Sequence, residues 1–348
     1  MSHVASRRRF VVTAAAAAGL LLAACSDSPE DTTAEEAGGE SPAARSASEQ
    51  DPATIRVAEL STANYLTLGR ASGVIDDALA GVGAEAEWLG PFSVPTAAYE
   101  TVYAGQSDAG STGASRLTVW AAEQRDIVAI AVESYSGDSQ GLAAAPGSGV
   151  TELEDLYDGR VAVGPAPGGT GDYIFEKAFE NAGLDSSRVE KVYIADTDAA
   201  AAFATGEIDA WSTYDQFFAT AQATDDATVL ARGDEIGSHN VSIHFVGRGL
   251  VEEHPVAVRA LYDGLAAQAE AAAADPSIIT DSYAASGAGG DITDVIATFD
   301  VPVIEPLDAD AVAGLEALAE DYVRYGFIDA APDLSTVTSD VTTLGAAG

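Results

Sequence analysis

The chain has 348 residues, 47% of them hydrophobic, with 16 Lys and Arg against 55 Asp and Glu, for a formal net charge of −39. That balance excludes nucleic acid as a partner, because phosphate binding needs clustered Lys and Arg, and it sets the surface against an acidic lipid face. Once a leader and an acidic, Ser- and Ala-rich segment are set aside, about 300 residues remain, enough for a core divided between two domains.

In chain order, residues 1–24 read as an export signal. Ser6-Arg7-Arg8-Arg9-Phe10-Val11-Val12 is a twin-arginine pattern, and the apolar stretch Val11 to Ala24 is too short for a comfortable membrane span. Leu22-Ala23-Ala24-Cys25 then resembles a lipobox, and Cys25 is the single cysteine of the chain. Cys25 is therefore the expected lipidation site, anchoring an exported chain to the extracytoplasmic face of the cell membrane; an exported chain with no second thiol builds its core without disulfides. Loss of the three leader arginines takes the net charge from −39 to −42. Residues 25–52 are rich in Ser, Glu, Ala, Gly and Thr, bury too little to order themselves, and read as a flexible tether.

Short apolar strands then alternate with amphipathic helical stretches, which predicts an α/β fold with mostly parallel sheets. Strands are expected at Ile55–Leu60, Ala84–Leu89, Ser107–Ser111 and Asp126–Ser134, with helices at Leu66–Ala71, Pro95–Ala104 and Arg116–Glu123 between them. After Gly137 a second series follows: strands at Leu142–Ala145, Gly159–Gly164, Lys191–Ile194 and Ile208–Ser212, and helices at Val150–Leu156, Asp172–Ala182, Asp198–Thr205 and Asp215–Thr220. Gly183 ends the second of these helices as a C-cap. A strand at Val241–Gly247 and helices at Pro255–Ala274 and Ala309–Tyr325 close the chain.

One ten-residue unit recurs. Ala104-Gly105-Gln106-Ser107-Asp108-Ala109-Gly110-Ser111-Thr112-Gly113 is echoed by Thr205-Gly206-Glu207-Ile208-Asp209-Ala210-Trp211-Ser212-Thr213-Tyr214. Each copy ends a helix on Gly, turns at Asp, and carries small hydroxyl residues to the carboxyl end of a strand, where open α/β sheets hold their ligands. Two such tips facing one another make a cleft. Val163-Gly164-Pro165-Ala166-Pro167-Gly168-Gly169-Thr170-Gly171 leaves a strand and enters a helix, so free N–H groups at the helix start suit an anion or a polar head. It is not a nucleotide loop, since no Gly-Lys-Ser/Thr follows. Trp211 and Tyr214 are expected to form a half-polar wall. Asp215 is open to three roles: helix cap, hydrogen-bond acceptor for a ligand, or partner of a ligand amine.

No catalytic residue, metal site or cofactor is expected. His239, His244 and His254 lack metal-ligand spacing, and no Gly-x-Ser-x-Gly elbow is present.

Taken in order, Ile55–Leu60 with Asn64-Tyr65, Ala104-Gly105 to Gly113, Val161–Thr170 with Ala182-Gly183-Leu184, and Asp209-Ala210-Trp211 to Asp215 resemble the periplasmic substrate-binding proteins of the aliphatic sulfonate, taurine and nitrate group, over residues 53 to 255. The resemblance implies a type II periplasmic-binding-protein fold with ligand closed between two lobes, here 53–136 plus 251–348 and 137–250, hinged near Ser134–Gly137 and Ile236–Asn240. It implies ligand contacts at Asn64, Tyr65, Ser111, Thr112, Gly113, Gly169, Thr170, Trp211, Tyr214 and Asp215. It also implies a monomer that is not an enzyme, passing a small polar or anionic solute to the permease of an ABC importer. An anion held by aligned helix amides without an arginine is physically reasonable. Departures from the family pattern, Ala114-Ser115 after Thr-Gly and Gln216 after Asp215, leave nitrate or a thiamine-precursor pyrimidine as alternative ligands, and an exported enzyme or sensor as the alternative class.

Overall fold

Segments whose apolar residues run without alternation take strand positions covered on both faces. Ile127–Ser134 is buried at every residue but the last, and Gln140–Ala144 throughout. The computed structural model describes residues 53–93, 95–238 and 241–345. The export signal, tether, Cys25, His239 and Asn240 lie outside the described residues.

The chain first builds β1 (Thr54–Leu60), α1 (Tyr65–Ser72), α2 (Val74–Ala80), β2 (Glu85–Phe92), α3 (Pro95–Tyr103), β3 (Ala109–Gly113), α4 (Ala114–Ala122) and β4 (Ile127–Ser134). It continues through β5 (Gln140–Ala144), β6 (Arg160–Ala162), α5 (Thr170–Ala182), β7 (Glu190–Val192), α6 (Asp196–Thr205), β8 (Ala210–Tyr214), α7 (Asp215–Ala223), β9 (Thr228–Arg232) and α8 (Gly233–Ile236). The last part adds β10 (Ser242–Gly247), α9 (Arg248–Glu253), α10 (Pro255–Ala274), α11 (Ser277–Ala285), α12 (Gly290–Ile296), β11 (Val303–Pro306) and α13 (Ala309–Arg324).

Two sheets result, ordered β11-β4-β10-β3-β1-β2 and β7-β6-β8-β5-β9. In the larger sheet β2, β1, β3 and β4 run one way while β10 and β11 are reversed; in the smaller only β5 is reversed. The reversed strands next to each crossover follow from the path of the chain. β5 enters the second sheet straight from β4, and β10 re-enters the first straight from the end of the second. Residues 242–250 were expected in the second lobe. Instead β10 pairs between β3 and β4, so the return crossover comes earlier, between β9 and β10. The helix expected at Val150–Leu156 is a single 3-10 turn, Leu153–Leu156, opened by a reciprocal Glu152–Asp155 capping box. Gly183 does end α5 in the left-handed region, at φ 68°.

The sequence echo is a structural repeat. Asp108 accepts the backbone N–H of Arg56 at 3.0 Å, and the Arg56 guanidinium reaches the Gly105 carbonyl. Asp209 likewise accepts the N–H of Arg160 at 2.7 Å, and the Arg160 guanidinium reaches the Glu207 carbonyl. Each turn aspartate thus locks its strand beside a parallel neighbour, β3 on β1 and β8 on β6, and sets both strand tips at the same relative height.

Candidate functional site

The tips of β3 and β8 open on one cleft of about 160 Å³, whose walls come from both sheets. From the larger sheet come Thr62, Asn64, Tyr99, Ser111, Thr112, Gly113, Ser115 and Arg116; from the smaller come Gly164, Gly169, Thr170, Gly171, Tyr214 and Asp215. Three helices start here, α4, α5 and α7, and at none of them does an N-cap side chain hydrogen-bond the first turn; the caps are Gly113, Gly169 and Tyr214. At α4 and α7 the first N–H is already taken, that of Ala114 by the Val241 carbonyl at 2.8 Å and that of Asp215 by the Ser139 carbonyl at 2.7 Å, so what these starts offer a ligand is chiefly the positive end of the helix dipole.

The Gly-rich loop is held from both sides. Buried Asp172 accepts the Gly168 N–H at 3.0 Å, and the Tyr322 hydroxyl on α13 donates to the Gly168 carbonyl at 2.8 Å. Gly169 turns its own N–H to Ala166, so it supplies close approach rather than a donor. Gly171 brings α5 hard against β8: a Cβ there would lie 2.4 Å from the Ser212 carbonyl oxygen.

Arg116, which the sequence reading named only as the start of a helix, is a cleft residue. It lies one turn into α4, with its guanidinium carbon 5.7 Å from the Tyr99 ring centroid, and makes no ion pair or hydrogen bond with another described residue. In a chain with 55 acids, Arg116 is thus half-buried in the cleft without a carboxylate partner among the described residues. Arg116 places a cation beside these helix starts, which the sequence expectation did not include. The Tyr99 hydroxyl, also unforeseen, accepts from Thr112 Oγ1 at 3.0 Å.

Of the ten expected contacts, eight line the cleft. Several of these eight have side chains already engaged, Thr112 with the Tyr99 hydroxyl among them. Asn64 Oδ1 caps α1 by accepting from the N–H groups of Leu66 and Thr67, and its Nδ2 donates to Thr62. Ser111 Oγ bonds His244 Nδ1 at 2.9 Å, and His244 Nε2 meets Glu133 at 2.9 Å, a buried relay that also takes the Tyr65 N–H and the Tyr135 hydroxyl. That relay ties β3, β10 and β4 together beneath the cleft.

Tyr65 and Trp211 belong to the core, contrary to expectation. Tyr65 runs through the apolar cluster beneath α1, and its hydroxyl donates to the Pro302 carbonyl. Trp211 sits between Phe203 and Phe217, with ring centroids 5.9 and 5.8 Å away. Side chains on a strand alternate between faces, so Ser212 bonds the Gly171 carbonyl on the α5 face while Trp211 and Thr213 turn to α6. Only the last residue of β8 and the first of α7, Tyr214 and Asp215, reach the cleft.

Asp215 has φ 50°, in the left-handed region uncommon for residues other than glycine, and its N–H donates to the Ser139 carbonyl at 2.7 Å. Its side chain touches the cleft but is otherwise walled by protein. Desolvation, with added repulsion from Glu133 and Asp196, pushes its carboxyl up to about 7. The sign follows from linkage. Below about pH 4 both folded and unfolded chains hold this proton; between there and pH 7 only the folded chain does, so stability falls as pH rises and then levels. Asp215→Asn is expected to match the wild type near pH 4 and to melt higher above pH 7. Water in the cleft limits the gain to about 1–2 kcal/mol, below the full linkage value. Melting temperatures from pH 4 to 8 check this; a difference between the two proteins that does not change with pH shows that Asp215 titrates normally.

Comparison with known proteins places this geometry. The model of the NMT1/THI5-like family matches residues 89–278. An Escherichia coli (strain K12) protein named as an aliphatic sulfonates-binding protein is 26% identical over 155 residues, 44% of this chain; the chain spans about half the length of that relative, 48%. Among solved structures, the alkanesulfonate-binding protein SsuA from Xanthomonas axonopodis pv. citri, bound to MOPS, superposes with a TM-score of 0.73 at 18% identity, covering 83% of this chain and 99% of that one. The desulfurization enzyme DSZB superposes with a TM-score of 0.57 at 18% identity, covering 82% and 96%. The likeness shows the fold, the two-lobed type II periplasmic-binding-protein architecture with its cleft between two helix-flanked sheets. With more than half of its residues matched by the family model, the chain belongs to the NMT1/THI5-like family.

Proposed function

We propose that this chain is the extracytoplasmic substrate-binding lipoprotein of an ABC importer, capturing a small anionic solute of the aliphatic sulfonate or taurine-like class by closure of two lobes and delivering it to a permease. One lobe is built on the six-stranded sheet and the other on the five-stranded sheet. The crossovers that follow β4 and precede β10 act as hinges. At the first, Gly137 (φ 99°) packs so closely on α8 that a Cβ would lie 2.6 Å from the Asp234 nitrogen.

The observation that carries this reading is Arg116, a partnerless guanidinium beside two uncapped helix starts in a strongly acidic protein. A sulfonate offers three oxygens to the guanidinium fork and the amides. The distant negative surface is screened over roughly 8 Å at physiological salt and does not cancel this local attraction. Sulfonate-binding relatives of the same fold support the choice of anion. Asp215 adds a reason to include taurine, since a ligand ammonium beside it favours the ionised carboxylate. With Trp211 in the core, only Tyr214 of the Trp211–Tyr214 pair remains in the cleft to stack on a pyrimidine.

Binding rather than turnover is the reading that the sulfonate-binding relatives support, and the Ser–His–carboxylate relay under the cleft is the place where turnover would have to be sought. Ser111 is held to His244 deep in the relay, and Thr112 donates to Tyr99. DSZB shares the fold, so turnover has to be measured. Calorimetry and thermal shift against sulfonates, taurine, nitrate and pyrimidines are expected to give a sulfonate hit with the ligand recovered intact. Conversion of any panel member, or a panel without a sulfonate hit, counts against the proposal. Anchoring is tested separately with a fatty-acid probe in cells: label on the wild type and none on Cys25→Ser is expected.

A further inference from the structure

We propose that Ser111 is an activated nucleophile and that the cleft hydrolyses small carboxylic esters, an activity separate from the capture of solutes. The serine ends a Ser–His–Glu relay with the connectivity of a hydrolase triad, and of the three residues it is the one that lines the cleft.

Three neighbouring strands of the larger sheet hold these groups on one face. His244 of β10 lies opposite Ser111 of β3 and opposite Ala131 of β4, two residues from Glu133. Ser111 Oγ is 2.9 Å from His244 Nδ1, and His244 Nε2 is 2.9 Å from Glu133 Oε2. Glu133 accepts the Tyr65 N–H at 3.0 Å on the same oxygen and the Tyr135 hydroxyl at 2.9 Å on the other. A carboxylate that meets donors on both oxygens takes the proton-bearing nitrogen of a neutral imidazole, so Nε2 carries the hydrogen and Nδ1 keeps its lone pair for the serine. Asn64 Oδ1, a second acceptor near Ser111 Oγ, is 3.5 Å away and already takes two backbone N–H groups, which leaves the hydroxyl proton on the line to His244. His244 and Glu133 are buried, so the base is held dry and fixed by the sheet while the serine end meets the cleft.

Neighbouring groups suit the rest of the reaction. α4 begins at Ala114 without a side-chain cap, and Arg116, two residues on, lines the same cleft. The positive end of that helix and the guanidinium favour an oxyanion forming beside the serine. In the first half of the reaction Ser111 Oγ bonds to the ester carbonyl carbon while its proton passes to His244 Nδ1. The tetrahedral adduct then breaks its bond to the alkoxy oxygen, which leaves as the alcohol with that proton. In the second half water attacks the acyl carbon and gives a proton to Nδ1; the bond to Oγ breaks, the proton returns to Ser111, and the carboxylic acid departs. Glu133 is a positioning residue throughout, fixing the imidazole and its tautomer. The same serine leaves an alkanesulfonate intact, because attack at its sulfur would have to expel oxide or a carbanion. Capture of sulfonates and hydrolysis of esters are therefore compatible in one cleft, whose volume of about 160 Å³ restricts the acyl group to a few carbons.

The test treats the full chain with methanesulfonyl fluoride, maps the adduct by peptide mass spectrometry, and follows hydrolysis of p-nitrophenyl acetate by release of p-nitrophenolate. The sulfonyl fluoride is expected to modify Ser111 about 100-fold or more faster than other serines of the chain. The ester is expected to give a burst of one product per chain and then steady turnover, both lost once Ser111 is sulfonylated. Ser111→Ala is expected to abolish labelling and hydrolysis, and His244→Gln to slow both by about 100-fold or more. Glu133→Gln is expected to lower kcat with KM little changed, whereas a residue that only supports the fold would lower the melting temperature and leave the rate of the folded protein as it was. Absence of an adduct at Ser111, labelling spread over several serines at similar rates, labelling without turnover, or hydrolysis undiminished in the sulfonylated protein overturns the proposal. These outcomes are all read on the wild type, so they stand even where a variant does not fold. Failure of this activity leaves solute capture to be judged by its own calorimetry, and a panel without a sulfonate hit leaves the labelling of Ser111 to be judged by itself.

Discussion

Arg116→Ala is expected to weaken sulfonate binding by roughly 10- to 100-fold while leaving the melting temperature of the empty protein almost unchanged. The two halves of that expectation have different causes. Charge-assisted hydrogen bonds from a partly buried guanidinium to an anion are worth roughly 1.5–3 kcal/mol, and each 1.4 kcal/mol is tenfold in Kd. Arg116 makes no hydrogen bond or ion pair with another described residue, and its contact with the Tyr99 ring contributes about 0.5–1 kcal/mol at most. Its removal therefore takes little from the fold. Arg116→Lys keeps the charge but not the planar fork, and is expected to fall between the two. Calorimetry at low and high salt separates the terms, because the guanidinium contribution shrinks with screening while that of the helix amides shrinks less. An unchanged Kd for Arg116→Ala would place the anion elsewhere.

Why Arg116 escaped the sequence reading, while the loop at Gly168 to Gly171 did not, has a physical answer. A glycine-rich strand-to-helix turn announces itself locally, because only that composition permits the close backbone approach. An arginine one turn inside a helix looks the same whether the helix start faces solvent or a cleft. Its role depends on β3 carrying α4 to the same opening as α5, a fact about sheet order. The repeat at 104–113 and 205–214 was legible because the two turn aspartates and their strands recur as a unit, and the structure adds only the arginines, Arg56 and Arg160, that complete it.

Trp211 shows the opposite failure. The motif was located correctly, but one residue of register decides which face of β8 a side chain takes, and Trp211 falls on the α6 face. Asn64 and Tyr65 sit at the right strand end, yet one is consumed by capping α1 and the other by the core. The apolar cluster that joins α11 and α12 to α7 was not foreseen at all. The apolar residues of α11 and α12 are split by Ser286 to Gly290, which reads as a break, and their partner on α7 is some 70 residues away in sequence.

Gly171→Ala is the substitution expected to do most damage, to the fold and the site together. The added Cβ would lie 2.4 Å from the Ser212 carbonyl oxygen and 2.8 Å from that of Val163. Both are backbone atoms at strand ends of the smaller sheet, so neither can swing aside as a flexible side chain would. The first turn of α5 must lift, breaking the 2.7 Å bond from Ser212 Oγ to the Gly171 carbonyl and moving the Thr170 end of the helix out of line with the cleft. Overpacking of this kind costs about 1–3 kcal/mol, and the lost hydrogen bond about 1 more. At roughly 2–4 °C per kcal/mol in a chain of this size, the melting temperature should fall by about 4–16 °C. Gly183→Ala separates clash from conformational strain: that residue has φ 68° at the far end of the same helix, with nothing within 4 Å of a Cβ. It is expected to cost only about 1–2 kcal/mol and to leave the sulfonate Kd as it was, because the strained end lies a full helix length from the ligand. Gly171→Ala, assayed below its own melting temperature, should still bind at least tenfold more weakly. If it binds normally while folded, the start of α5 does not hold the anion and Arg116 acts without it.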